Sequence, residues 1–189
     1  MVGMAAPWEW APLRVPQPAS IASLESLLNP PVEIKPLEKF LRFHLNQSHS
    51  MLLPLEDIIA VQAISILDVL PVPQMSACVL GLSNWRGEAL WLVDLLYQLG
   101  FDEILQPAQS LTILNAIIVQ FQGKWLGLTV QAIGEIEEHD PEKLVHPSPD
   151  LFAQPLAAFI KGYFGHDHSI VLSTAAILQD PALHSQASI

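Results

Sequence analysis

The residues of this chain best suited to chemistry are few and scattered. His166, Asp167 and His168 put two imidazoles on alternate positions, a spacing with which a strand can offer both to one metal ion. Closed metal sites want more ligands than that, and no other His or Cys stands close by in sequence. The triplet also sits between Gly165 and an apolar run, so it reads as a solvated turn. Gly81-Leu82-Ser83 opens like a nucleophile elbow, but Trp85 stands where a second glycine must permit the sharp bend, which makes Ser83 a strand-end residue. The segment from Glu135 to Asp140 holds four carboxylates without the positions of a calcium loop, and reads as a solvated stretch between two strands. No glycine loop of the dinucleotide or P-loop type is present. The expectation is a chain with no catalytic apparatus and no cofactor.

Arg86 is a different kind of candidate. It is the only Lys or Arg between Phe43 and Gly123, so one fixed positive charge stands among several carboxylates. A guanidinium so placed can pair bidentately with a carboxylate of its own fold or of a partner, and both readings stay open. Asp94 reads as a helix N-cap, which is a structural role.

The elements that must hold Arg86 run from Val79 to Phe101. Two apolar runs, Val79 to Leu82 and Ala89 to Val93, flank the tetrad Asn84, Trp85, Arg86, Gly87, the composition of a hairpin with a loop of several residues. Both arms are apolar at nearly every position, which predicts strands covered on two sides, as in a closed barrel. After Asp94, Leu95, Leu96 and Leu99 supply helical spacing and Gly100 the stop; Gly81 and Gly87 read as backbone devices for tight turns or close approach.

Upstream, residues 1–37 hold seven of the 16 prolines and read as a largely extended tail, with a short amphipathic helix possible at Ser20 to Asn29. Phe40 to Leu45 and Met51 to Leu55 read as strands, while Glu56 to Ala63 fits a helical turn or a third strand. Pro107 marks a seam between halves. The second half then repeats the first: Leu53, Leu55, Ile58 and Val61 correspond, at a constant offset of 75 residues, to Leu128, Val130, Ile133 and Ile136. Two copies, each too small for a large core, predict two small barrels leaning on each other, the first at about 38–101 and the second at about 112–178, with a C-terminal tail from 181.

Composition narrows the partners. The chain of 189 residues is 51% hydrophobic and carries a formal charge of −11 with eight Lys and Arg, the opposite of a nucleic-acid footprint. Cys78 has no second cysteine to pair with, which suits a reducing compartment and a buried small side chain. No apolar run reaches the length of a membrane span and no signal peptide opens the chain, so the sequence predicts a cytoplasmic protein without direct membrane insertion.

The run G-L-S-N-W-R-G, followed by a buried strand and V-D-L, resembles the G-x-x-N-x-R-G-x-x-x-P-x-x-D-L core of the CheW coupling proteins of bacterial chemosensory arrays. L-G-L-T-V-Q-A-I-G-E-I and F-I-K-G in the second half add weaker support, and the resemblance covers about residues 38–178, within a domain set at 38–180. It implies a mainly β protein of two five-stranded SH3-like barrels with a few short helices and a groove between the halves. The implied function is that of a non-catalytic adaptor for chemotaxis, phototaxis or pilus-driven motility. It joins the cytoplasmic tip of a methyl-accepting receptor to the regulatory domain of a CheA-type histidine kinase, at arrays on the inner face of the membrane. Asn84, Trp85, Arg86, Gly87 and Glu88 become the partner-binding residues, and Gly81, Asp94 and Gly100 structural ones.

This chain departs from the pattern in places. Ala60 stands where family members often carry a glutamate that pairs with the loop arginine, although Glu135 occupies the equivalent repeat position. Trp85 replaces an aliphatic residue, Trp91 a proline, and Ser173-Thr174 a frequent acidic residue. Two extra indoles predict a larger apolar contact surface around the loop. The alternatives are a divergent structural component of arrays that lacks receptor contact, and a small metal-dependent hydrolase using His166 and His168.

Overall fold

The computed structural model describes residues 36–101, 113–148 and 150–183. Expectations for the proline-rich tail up to residue 35, the Ser20 to Asn29 helix and the seam at Pro107 fall outside them. The first half supplies β1 (Glu38–His44), β2 (Ser50–Pro54), β3 (Ile58–Ser65), β4 (Val79–Trp85), β5 (Glu88–Asp94) and α1 (Leu95–Gln98). The second half repeats that order with β6 (Ile113–Phe121), β7 (Lys124–Val130), β8 (Ala132–His139), β10 (Ile160–Phe164), β11 (Ser169–Leu172) and α2 (Thr174–Leu178), and inserts the short β9 (Leu144–Val145). The undecided stretch from Glu56 to Ala63 takes both forms, a 3-10 turn at Leu55–Asp57 and then β3.

The strands make two curled sheets of the SH3-like kind, sheet A in the order β8-β1-β2-β11-β10-β9 and sheet B in the order β3-β6-β7-β5-β4. Here the expected boundaries need correction. Neither barrel is a continuous run of sequence such as 38–101 or 112–178. Sheet A takes β1 and β2 from the first half and the rest from the second; sheet B takes β3, β4 and β5 from the first half and β6 and β7 from the second. The physical route is short: only the Leu55–Asp57 turn separates β2 from β3, and only Gln131 separates β7 from β8, so each strand runs out of one sheet directly into the other. Each crossing leaves a parallel pair behind, Met51 opposite Ile170 in sheet A and Leu92 opposite Gly127 in sheet B.

Alternation explains why the arms are apolar at almost every position. On β5, Leu90 and Leu92 face the interior of sheet B with Ala116, Ile118 and Trp85, while Val93 faces a central core shared by both sheets. On β1, Phe40 faces the interior of sheet A with Leu52, Phe164 and Val171, while Leu41 and Phe43 join the central core. Each fully buried side chain of this kind is worth about 1.5–3 kcal/mol, so the shared core binds the two sheets into one cooperative unit.

Both copies use the same local devices. Gly81 sits at a bulge in β4 with φ 144°, and a Cβ there would lie 2.2 Å from the carbonyl oxygen of Leu70, which bridges to Leu82 across it. Gly162 marks the corresponding bulge in β10, where β9 passes. Asp94 is buried and its Oδ1 accepts from the Tyr97 amide at 3.1 Å; Ser173 takes the same N-cap place on α2, accepting from the Ala176 amide at 3.2 Å. Gly100 closes α1 at φ 85°, against Pro155. The C-terminal tail expected from residue 181 begins later, because Pro181–Leu183 forms a 3-10 turn and Leu183 packs on the central core.

Candidate functional site

The β4–β5 turn is tighter than its composition implied. Asn84 and Trp85 belong to β4, Trp85 pairs with Glu88, and only Arg86 and Gly87 form the loop. Both have positive φ, 54° and 87°, the I′ pattern that matches the twist of a two-residue hairpin. Asn84 Oδ1 accepts from the Gly87 amide at 3.0 Å and fixes the bend. Asn84, Arg86, Gly87 and Glu88 are exposed.

Trp85 is not exposed. At 4% relative exposure it fills the interior of sheet B, so it cannot enlarge a contact surface as the sequence suggested. Its ring instead carries the Arg86 guanidinium, 4.7 Å from the ring centre, and meets Trp125 edge-on at 4.8 Å. Among the described residues no carboxylate forms a salt bridge with Arg86. Of the two roles left open for it, the internal ion pair is absent there. The cation rests on an indole, worth about 0.5–1 kcal/mol at an exposed site, and stays available. Ala60 packs against the interior of sheet B and Glu135 is exposed on β8.

The ion pair that sequence reasoning sought near Arg86 occurs in sheet A instead, around Arg42. Its Nε and Nη2 engage both oxygens of Glu137, the latter at 2.8 Å, and Nη2 also donates to Ser169 Oγ at 2.6 Å and Asp167 Oδ2 at 3.3 Å. Nη1 reaches Ser50 Oγ at 3.3 Å. One side chain thereby ties β1, β2, β8, β11 and the turn before β11. Ser169 donates from its hydroxyl to Asp167 at 2.5 Å and from its amide at 3.1 Å, and His139 Nε2 lies 2.9 Å from Glu137. The His139 ring stacks on Phe164 at 4.2 Å and forms the apolar wall of the cluster.

Electrostatics follows the contacts. The hydrogen bond from Arg42, outweighing the opposing effect of burial, holds the Glu137 carboxyl below its ordinary value. Burial pushes the Asp167 carboxyl up, but the Ser169 hydroxyl and amide and the charges of His166 and Arg42 outweigh it, so it too lies below its ordinary value. The Arg42 guanidinium is raised, first by its hydrogen bond to Glu137. Two corrections to the sequence reading result. Glu135 to Asp140 is not a solvated stretch, because it lies largely in β8 and turns Glu137 and His139 inward. The turn Gly165 to His168 is solvated at His166 and His168, but Asp167 folds back inside.

Glu137, His139 and Asp167 bring ligand atoms within 4.8 Å of one another, which is the geometry of a three-ligand metal site. Arg42 already supplies the positive charge both carboxylates face, so the cluster is built as an internal ion network. Among the described residues no group of three potential ligands includes His166 or His168.

A groove of about 500 Å³ opens where α2 meets sheet B, walled by Met75, Val79, Trp91, Trp125 and Leu178, with Lys124 among its lining. Trp91 therefore stands away from the turn and contributes to this groove, and among the described residues Trp125, at 37% exposure, is the most exposed indole.

Residues 39–182 match the profile of the CheW-like domain. The chain belongs to the CheW-like domain family. The match supports a chemotaxis scaffold or adaptor. Its fold is similar to that of the scaffolding protein TtCheW from Thermoanaerobacter tengcongensis, with a TM-score of 0.64 over 80% of this chain and 94% of that one, at 20% sequence identity. No curated protein sequence matches the chain. The CheW-like match runs to residue 182, past the expected end of the domain, in keeping with Leu183 packing on the core. Among the described residues no helix is long and apolar enough to cross a membrane.

Proposed function

We propose that this CheW-like protein is a non-catalytic adaptor that couples a methyl-accepting chemotaxis-type receptor to a CheA-type histidine kinase in arrays at the cytoplasmic face of the membrane. The observation that carries the reading is the family match across both halves, joined to an exposed arginine turn whose cation meets no carboxylate among the described residues. Asn84, Arg86, Gly87 and Glu88 are the outward part of the partner contact, and Trp85 is its buried support. The groove between the halves takes a receptor helix by its apolar face, and the outer faces of the barrels take the kinase's own CheW-like domain. The connection from β3 to β4 leaves Leu67 and Leu70 at 84% and 68% exposure, apolar surface of the kind a docking barrel covers.

Arg86→Glu is the first test, because it reverses a charge that no described carboxylate neutralises. Association with the kinase regulatory domain or the receptor fragment should weaken by about tenfold in isothermal titration, with the melting temperature unchanged. Unaltered binding to both would remove the turn from the interface. Wild-type protein that binds the kinase domain and ignores the receptor fragment would favour the structural array component instead.

A further inference from the structure

The groove beside α2 has a feature that the adaptor reading does not require. Among the described residues its walls are apolar apart from one charged side chain, Lys124. Among the described residues Lys124, like Arg86, forms no salt bridge. The two cations belong to the same end of sheet B: β5 and β7 run parallel, paired from Leu92 opposite Gly127 onward, and both begin directly after a tight turn, Arg86-Gly87 for one and Gln122-Gly123 for the other. Trp125 links them physically, lining the groove while its ring meets the indole that carries Arg86.

In a chain of formal charge −11, a lysine on the lining of an apolar groove and an arginine on the Trp85 indole that Trp125 meets, neither in a salt bridge among the described residues, are a local inversion of sign. An apolar small molecule would leave both without a counter-charge, whereas a polypeptide helix can bring apolar side chains and a carboxylate on adjacent turns. We propose that the partner helix entering this groove carries an acidic residue about one turn from its apolar anchor, and that Lys124, with Arg86 beyond it, reads that carboxylate and sets the helix direction. Trp91 forms the wall on which the anchor packs. The inference rests on the adaptor reading, and it assigns the groove to the receptor helix rather than the kinase.

The test is titration of the full chain with the cytoplasmic tip fragment of a methyl-accepting receptor and, separately, with the kinase regulatory domain. Lys124→Glu should weaken the receptor fragment by about tenfold, Lys124→Arg should retain affinity, and Trp91→Ala should weaken it by about tenfold or more. Kinase-domain binding should be unchanged in all three, and wild-type affinity for the receptor fragment should fall as salt rises. Thermal melts confirm that each variant is folded. Equal receptor binding by wild type, Lys124→Glu and Trp91→Ala would overturn the inference and leave the adaptor reading intact. Loss of kinase binding instead would assign the groove to the kinase and overturn it too. Wild-type protein that binds neither partner would remove the adaptor reading itself.

Discussion

Residues 36–101 produced alone are expected to stay unfolded, although they contain one whole copy of the internal repeat. In that fragment β3 loses β6, its pairing partner, and β5 loses β7. Strands β1 and β2 keep each other but lose β8 and β11. The central core loses Ile117, Val119, Leu128, Val130, Leu172 and Ile177, each buried in the intact protein. At about 1.5–3 kcal/mol apiece, these six exceed the whole net stability of an ordinary domain, about 5–15 kcal/mol, or consume most of it. Circular dichroism and amide-proton dispersion should report a disordered chain, and mixing with the complementary fragment should restore a cooperative melt. A cooperative transition in the isolated fragment would show that the halves are independent barrels.

Arg42→Ala is the substitution expected to cost most outside the apolar core. It leaves Glu137 and Asp167 facing each other with their shared cation removed, and it orphans the Ser169 contact. Breaking a well-buried pair costs about 3–5 kcal/mol, and partial solvent access here lowers that to about 2–3 kcal/mol in denaturant unfolding. Adding Glu137→Gln to Arg42→Ala should recover part of the loss, since one uncompensated charge is then gone. The pH dependence has a definite sign. Both carboxylates are held below their ordinary values, so their stabilising share is complete above an unfolded pKa of about 4 and is lost as pH falls through the lowered folded values. Arg42→Ala should therefore flatten the acid limb of the stability profile. A variant with unchanged stability and an unchanged acid limb would show that the network is ornamental.

Local chemistry was legible wherever one stretch of chain decides the outcome. The Asp94 cap, the Gly100 stop, the Gly81 bulge and the two-sided burial of β5 all depend on neighbours in sequence, and the residue types state them. The duplication was legible for the same reason, since its offset is a property of the sequence itself. What it could not express is which copy's strands pair. The offset is identical whether β6 lies beside β3 or beside its own half's strands, and only the directness of the Leu55–Asp57 and Gln131 connections decides it. Arg42 was missed because its partners lie 95 and 125 residues away, in a segment that looks like a solvated acidic run. The available signal was positional: Arg42 shares a face of β1 with Phe40, and a charge on a barrel-facing position needs a counter-charge from elsewhere. Arg86, so conspicuous in the sequence, has the simpler environment of an indole beneath it and solvent above.

The asymmetry between the barrels follows from the same comparison. Ser169 opposes Phe164 in sheet A where Leu90 opposes Ser83 in sheet B, and the interior of sheet B is closed by Ile118, Leu90 and Trp85 instead of an ion network. One barrel therefore carries an ion network and the other an apolar interior. The Arg86 turn, the proposed partner contact, stands on the barrel with the apolar interior.

Co-sedimentation with receptor-bearing membranes tests the central claim most directly. A CheA-type kinase is mixed with such membranes in the presence and absence of this protein, and the pelleted kinase is measured. The adaptor account predicts that the kinase pellets with the membranes only when the protein is present, and that Arg86→Glu reduces the effect. Kinase recovery that is the same with and without the protein would contradict the account.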